Sequence, residues 1–287
     1  MRASPCTGRI GGARGRRGGV RPPGAVASRR RRGYNSTWSR PLKLGIPNVP
    51  GVSSRKSGSP AARARGSATT ASIEDYLEGI YDLTGSGGPV IGARLARHLK
   101  VSPPAVTEAL QRMSRDGYLR IGPGKQIVLT KRGRTLAEVM ARRHRLLERW
   151  LTDILGLDWM DAHEEAHRLE HALSPRVEDR LATLLGMPST CPHGNPIPGM
   201  PSRPGTHPFP LDQAQEGHTV TVERITEEAE ADRKLLEHLW RNGVRPDTRL
   251  TVQEIAPWAG TITTVTDGRT VVLGLAAAAK IWVYKPK

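Results

Sequence analysis

The fold of this chain is decided by residues 101–130, which read VSPPAVTEALQRMSRDGYLRIGPGKQIVLT. Ser102 is a favourable helix N-cap, and Pro103 suits the first helical position, because its missing N–H needs no partner there. Two short alternating runs follow, residues 117–121 and 126–130, separated by a Gly-Pro-Gly turn. The stretch therefore predicts one helix followed by a β-hairpin.

Two further helices are predicted upstream of this stretch. Ser72 is the expected N-cap of the first, and the second covers about residues 91–99. In the first helix the apolar side chains recur at helical spacing, namely Ile73, Tyr76, Leu77, Ile80 and Tyr81. Three helices and a hairpin in this order predict a winged helix-turn-helix at residues 67–135.

The chain after the hairpin predicts two more domains. Helical patterns at 131–155, 158–173 and 175–185 indicate a helical domain at residues 136–188. A linker rich in Pro and Gly follows at 189–210. Residues 211–287 contain five short alternating runs and one helix at 232–242, which predicts a small β-barrel. The fold class is thus α+β and multidomain.

The charge of the chain is concentrated in its first quarter. Residues 1–71 hold sixteen of the 44 basic residues and none of the 27 acidic ones, so they account for nearly all of the net charge of +17. Their Gly, Pro, Ser and Arg content predicts a disordered basic tail at 1–66. Three interpretations stay open: an arm that contacts DNA phosphates, a solvated tail, or sequence upstream of the true start.

The remaining composition excludes several classes of protein. We find no apolar run of membrane-spanning length, so no membrane association is expected. The two cysteines, Cys6 and Cys191, indicate no disulfide framework, and a reducing cytoplasm is the expected location. Cys191 and His193 could ligate a metal, but a Pro-rich turn is the simpler interpretation.

The second helix of a helix-turn-helix presents its first residues to base edges in the major groove. A Glu there can accept a hydrogen bond from cytosine, and an Ala can contact a thymine methyl. The candidate base-reading residues are Ser102, Pro104, Ala105, Thr107 and Glu108. The candidates for phosphate contacts are Arg112 and Arg115 of the same helix and Lys125 of the hairpin, or wing. Phosphate contacts position a protein without reading sequence.

Three helices carry stripes of potential metal ligands. His163, His167, Glu170 and His171 fall on one face of the 158–173 helix. His144 and Glu148 are four residues apart on the preceding helix, and Asp75 and Glu78 are three apart on the first. Each pair alone is typical of a solvated face, but three imidazoles and a carboxylate on one stripe favour a metal-binding function.

Two other functions fit parts of this pattern. Residues 163–167 match the H-E-x-x-H pattern of zinc peptidases, in which Glu164 would be the general base. The helix is short, however, and Glu170 and His171 have no role in such a site, so no enzymatic activity and no small-molecule substrate are expected. A winged-helix regulator that needs no metal is the other alternative.

From about Ser72 to Lys287, the chain resembles the diphtheria toxin repressor family, which includes the manganese transport regulators. The similar segments are 72–81, 112–117, 144–149, the 163–171 stripe and 194–199. Residues 244–248 and 267–271 are similar to the SH3-like ferrous-iron-transport A module. The resemblance implies a homodimeric, metal-dependent repressor that binds palindromic double-stranded DNA and controls metal-uptake genes.

The resemblance also implies two metal sites. The primary site would use Asp75, His167, Glu170 and His171, with Glu78 close by, and the ancillary site would use His144, Glu148 and His163. The SH3-like domain of iron sensors adds ancillary ligands, and the matching region here is around Glu230 and Asp232, in a loose alignment.

The chain departs from both branches of the family at one ligand. Asp75 matches the manganese type rather than the Met of the iron type. His167 stands where the iron type has Cys and the manganese type has Glu. The carboxylates favour Mn²⁺ or Fe²⁺, while the imidazoles also suit Co²⁺ or Zn²⁺. We expect Mn²⁺ ahead of Fe²⁺.

Overall fold

The computed structural model describes residues 67–201 and 206–286. The predictions made for the basic tail at 1–66 therefore lie outside the described residues. The N-terminal part of the described chain contains three helices and a two-stranded antiparallel sheet. These are α1 (Ser67–Gly85), α2 (Gly92–Leu99), α3 (Pro103–Arg115), β1 (Leu119–Ile121) and β2 (Ile127–Leu129).

This unit is a three-helix core closed by the hairpin. Leu77 and Ile80 of α1, Leu95 of α2 and Met113 of α3 are fully buried together. Ser102 accepts a hydrogen bond from Ala105 N and caps α3, as its sequence predicts. The expected cap at Ser72 is wrong, because α1 begins five residues earlier, at Ser67.

Three helices and a short turn form the middle of the chain. They are α4 (Lys131–Asp153), α5 (Trp159–Leu169), a 3₁₀ turn (Glu170–Ala172) and α6 (Pro175–Leu184). Side chains of Thr130, Asp158 and Ser174 cap the three helices. The predicted single helix at 158–173 is therefore an α-helix that tightens into a 3₁₀ turn at Glu170.

The C-terminal part is a six-stranded antiparallel sheet with three short helices. The strands are β3 (Phe209–Pro210), β4 (Thr219–Ile225), β5 (Arg249–Ala256), β6 (Thr261–Thr266), β7 (Arg269–Gly274) and β8 (Ile281–Tyr284), in the order β3-β8-β4-β5-β6-β7. The helices are α7 (Glu227–Glu230), α8 (Arg233–Arg241) and α9 (Leu275–Ala278). Bulges interrupt the register of β4 after Val222 and of β5 after Val252, and such bulges bend strands.

Two features of this part differ from expectation. The sequence predicts one helix and five strands, whereas the structure adds β3 and the one-turn helices α7 and α9. None of the helices within the described ranges is both long enough and apolar enough to cross a membrane.

Candidate metal centres

A first group of donors joins the N-terminal three-helix unit to the helical part of the chain. Asp75 of α1 lies with His167 of α5 and with Glu170 and His171 of the 3₁₀ turn, and one ligand atom from each lies within 4.8 Å of the others. His167 Nδ1 is 2.8 Å from Glu170 Oε1, and His171 Nε2 is 2.9 Å from Asp75 Oδ1. The structure thus brings together four of the five residues predicted for a primary site.

The fifth residue, Glu78, lies beside this group rather than in it. Glu78 is buried, and it belongs to a separate donor group with His144 and Glu170. Burial, together with the nearby Glu170 carboxylate, raises the pKa of Glu78 well above its ordinary value. Glu78 is thus placed to hold a proton next to the first group.

A second group of donors contains residues from three helices. His144 and Glu148 of α4 lie with His163 of α5 and with Glu227 and Glu230 of α7. His163 Nδ1 is 2.9 Å from Glu148 Oε1 and 3.4 Å from Glu230 Oε2. The three residues predicted for an ancillary site therefore meet two carboxylates from the sheet domain.

The predicted linker contributes a third set of donors to the same place. Cys191 and His193 are fully buried, and their donor atoms lie within 4.8 Å of those of Glu148. His193 Nδ1 is 3.1 Å from Glu230 Oε2. The Pro-rich turn is therefore real, but it is packed inside the domain interface.

The donor atoms of both groups have the properties of a cation site. Within the described ranges, four buried carboxylate oxygens accept no well-directed hydrogen bond, although imidazole nitrogens lie close by. They are Asp75 Oδ1, Glu170 Oε1, Glu148 Oε2 and Glu230 Oε2. Such atoms are costly to bury unless something binds them. Mixed imidazole and carboxylate donors fit Mn²⁺, Fe²⁺, Co²⁺ or Zn²⁺, so the residues fit a divalent ion.

Protons compete with a metal for these imidazoles. Burial favours neutral His163, but the nearby carboxylates of Glu148 and Glu230 outweigh it and raise the pKa of His163 to about 9. Asp75 raises the pKa of His171 to about 9, against a smaller opposing effect of burial. A metal must displace a proton from each group to bind it.

One histidine connects the two groups. His144 Nε2 lies 3.1 Å from Glu148 Oε1 in the second group, and His144 Nδ1 lies 2.6 Å from Glu170 Oε2 in the first. A ligating histidine commonly donates its other ring nitrogen to a carboxylate, which fixes its tautomer and orientation. The same carboxylate here, Glu170, also belongs to the first group.

A buried arginine holds the helices around the second group. Arg145 donates to Asp82 Oδ1 at 2.8 Å, to Glu227 Oε1 at 2.8 Å and to Pro196 O at 2.7 Å. It thereby ties α1, α7 and the buried turn to α4.

The buried turn also positions Glu230 directly. Asn195 Nδ2 donates to Glu230 Oε1 and to Ile225 O, both at 2.7 Å. Gly194 allows this approach, because a Cβ there would lie 2.3 Å from Glu223 O, and its φ of 92° also favours glycine.

The candidate DNA-reading residues lie on an accessible face. Ser102, Pro104, Ala105, Thr107 and Glu108 are all exposed along the start of α3. Arg115 and Lys125 are exposed too, whereas Arg112 is partly buried near Tyr76.

The peptidase interpretation finds no support in this geometry. His163 and His167 belong to different donor groups. The Glu164 carboxylate accepts from Arg233 Nη1 at 2.6 Å and is half exposed.

Four candidate donors were missed or left open by the sequence. Glu227 carried no signal, because acidic side chains next to each other are typical of a solvated surface. Glu230 was indicated by a loose alignment, while Asp232, named with it, caps α8 instead. Cys191 and His193 were assigned to a turn.

Three family descriptions match this chain. Residues 68–127 match "Iron dependent repressor, N-terminal DNA binding domain", and residues 130–199 match "Iron dependent repressor, metal binding and dimerisation domain". Residues 209–285 match the FeoA domain. The three matches together cover nearly all of the described chain.

Individual proteins agree with these matches. The iron-dependent repressor IdeR of Mycobacterium tuberculosis is 41% identical over 198 residues, which cover 65% of this chain and 85% of that protein. The diphtheria toxin repressor of Corynebacterium diphtheriae is 46% identical over 127 residues, 44% of this chain and 56% of that protein.

Solved structures show the same similarity. A manganese-dependent transcriptional repressor in complex with manganese has a TM-score of 0.67 at 36% identity, covering 75% of this chain and all of that one. The structure of ScaR with bound Zn²⁺ has a TM-score of 0.64 at 30% identity, covering 75% and 99%.

Proposed function

Since this chain belongs to the family of iron-dependent repressors, we propose that a divalent ion in the group of Asp75, His167, Glu170 and His171 switches it into its DNA-binding state. The chain is an iron- or manganese-dependent transcriptional repressor. The proposal concerns which residues sense the metal and how they control the DNA-binding unit.

The observation that carries the proposal is the position of Asp75. It lies on α1 of the DNA-binding unit, while its three partners lie on the helical part of the chain. A bound ion supplies a positive charge and a fixed coordination geometry across this junction. Its binding energy therefore favours the domain orientation that assembles the ligands.

We assign the ancillary function to the second group. His144, Glu148 and His163 meet Glu227 and Glu230 of the FeoA-like domain there. His144 reaches both groups, so occupation of the second would orient Glu170 in the first. Cys191 and His193 provide two more donors beside Glu148 and would suit a softer ion such as Zn²⁺ or Fe²⁺.

Mn²⁺ is the proposed physiological metal, ahead of Fe²⁺. Asp75 and Glu170 offer hard carboxylate oxygens, which suit Mn²⁺. His167 suits Fe²⁺ as well, so metal availability in the cell contributes to the choice.

The dimer surface is proposed to lie on α5 and α6. Leu169, Val177 and Leu184 are apolar and 39%, 52% and 56% exposed, respectively. Ala172 is exposed beside them, while Leu173, Leu181 and Leu185 are partly buried against the core of the protomer. A two-fold dimer sets two α3 helices about one DNA turn apart, which matches a palindromic operator.

The proposed cellular role follows from these parts. The protein would act in the cytoplasm, where DNA is, and would repress metal-uptake genes when metal is abundant. Bound DNA must in turn increase metal affinity, because the coupling is reciprocal.

The test is a DNA-binding titration of the metal-stripped full-length protein with its own promoter DNA at fixed salt. Mn²⁺, anaerobic Fe²⁺, Co²⁺ and Zn²⁺ are added separately. A steep rise in affinity with Mn²⁺ supports the proposal. An affinity that ignores all four metals would contradict it and favour a metal-independent regulator.

A further inference from the structure

Glu228 of α7 forms an ion pair with α2, and it lies between the two candidate metal ligands of the same helix. Arg94 of α2 donates from Nη2 to Glu228 Oε2 at 2.7 Å, and Glu228 lies between Glu227 and Glu230 in sequence. The Arg94 and Glu228 side chains are only 16% and 26% exposed. Arg94 Nη1 also donates to Gly87 O at 2.6 Å, so its guanidinium is held at both ends.

A second contact fixes the same junction. Arg224 of β4 donates from Nη2 to Gly85 O at 3.2 Å, and its guanidinium lies 4.4 Å from the centre of the Trp282 ring. A Cβ on Gly87 would lie 3.5 Å from Trp282. The turn between α1 and α2 is thus packed against the FeoA-like domain.

We propose that Arg94 and Glu228 form a positioning pair that transmits occupation of the second donor group directly to the DNA-binding unit. This inference rests on the proposed function of that group as a metal site. It adds a route through the FeoA-like domain, separate from the bridge at Asp75.

Only two helices, α7 and α2, separate the second donor group from the recognition helix α3. Helix α7 is a single turn, so the backbone at Glu228 moves together with that at Glu227 and Glu230. Helix α2 in turn packs on α3 through the buried core that contains Leu95 and Val106. A shift of α7 on metal binding therefore moves α2, and α2 carries the recognition helix with it.

The test is a double-mutant cycle in the full-length protein with Arg94→Gln, Glu228→Gln and the double variant. For each, the dissociation constant for promoter DNA is measured with chelator and with saturating Mn²⁺. The ratio of the two constants measures the coupling between metal and DNA. Glu237→Gln, which removes an exposed ion pair with Arg241 from the same domain, is the matched control.

We expect both single variants to lose about fivefold of the metal-induced gain in DNA affinity, which corresponds to about 1 kcal/mol. The double variant should lose no more than either single, because the two side chains act as one unit. DNA affinity in chelator and the behaviour of the control should equal those of the wild type.

Two results would overturn the proposal. Unchanged ratios would show that the pair transmits nothing, and if DNA affinity also falls equally with and without metal in Arg94→Gln alone, Arg94 acts as a phosphate contact instead. Ratios that change in opposite directions would reveal ordinary electrostatics, because one variant removes a positive and the other a negative charge near the metal. A wild type without any metal response would instead refute the proposed function itself.

Discussion

Replacing Arg145 with Met should strongly destabilise the metal-free protein. Arg145 is 4% exposed and makes three hydrogen bonds, two of them to the buried carboxylates of Asp82 and Glu227. Met fills a similar volume but leaves both carboxylates without their cation. Breaking a buried ion pair on one side costs about 3–5 kcal/mol, and we expect a loss of that size in the free energy of unfolding.

Part of this loss should depend on pH. Burial already raises the pKa of Asp82 to about 6, even though Arg145 opposes the rise. Without Arg145 this pKa rises further, and each unit costs about 1.4 kcal/mol at a pH above both values. At pH 5, below both values, Asp82 is protonated in either protein, so the difference should shrink.

The assay is urea unfolding of both proteins with chelator at pH 7 and pH 5. Arg241→Met is the control, because its partner Glu237 and Arg241 itself are 40% and 73% exposed, and exposed pairs contribute at most about 1 kcal/mol. A loss for Arg145→Met no larger than that of the control, or one independent of pH, would refute the reasoning.

Three further predictions concern protons, packing and assembly. His163 and His171, each with a pKa of about 9, should release about one proton apiece when a metal binds at pH 7, so metal affinity rises as the pH rises towards 9. Calorimetry in buffers of different ionisation enthalpy measures this release, and heats that do not depend on the buffer would contradict it. Gly133→Ala should lower the free energy of unfolding by about 1–3 kcal/mol, because the new Cβ would lie 2.0 Å from Tyr118 O. An unchanged thermal melt would rule out this clash. Leu184→Glu should raise the dissociation constant of the dimer by about tenfold or more, since it places a charge on the proposed interface. Sedimentation that shows an intact dimer at low concentration would place the interface elsewhere.

Local patterns allowed much of the DNA-binding unit to be predicted. The helix that starts after Ser102 and the hairpin around the Gly-Pro-Gly turn both depend on short-range preferences, and both are present. The start of α1 was mistaken because Ser72 has the chemistry of a cap, while the preceding Ala and Thr residues also continue the helix.

The single stripe predicted for residues 163–171 is divided in the structure. His163 lies in the second donor group, while His167, Glu170 and His171 lie in the first. Helical spacing places these side chains on one face, but it cannot say which neighbours meet each end of that face. The position of Asp75 on α1 and the 3₁₀ turn at Glu170 decide the division.

Local sequence patterns could not predict the donors from the FeoA-like domain. Helix α7 has four residues, too few for a periodic signal, and Glu227 meets His144 across 83 positions of sequence. His193 was assigned to a turn because Pro and Gly surround it, and it is buried by distant parts of the chain, since Trp159 of α5 packs on its ring and Ile225 N of β4 donates to its carbonyl.

The central claim, that a metal joins α1 to the helical domain, is tested most directly with Asp75→Ala. Promoter-DNA affinity is measured with and without saturating Mn²⁺ for this variant, for wild type and for the exposed control Asp116→Ala. We predict that Asp75→Ala loses the metal-dependent gain in affinity, while the control keeps it. If Asp75→Ala responds to Mn²⁺ as the wild type does, the bridge across this junction does not control DNA binding.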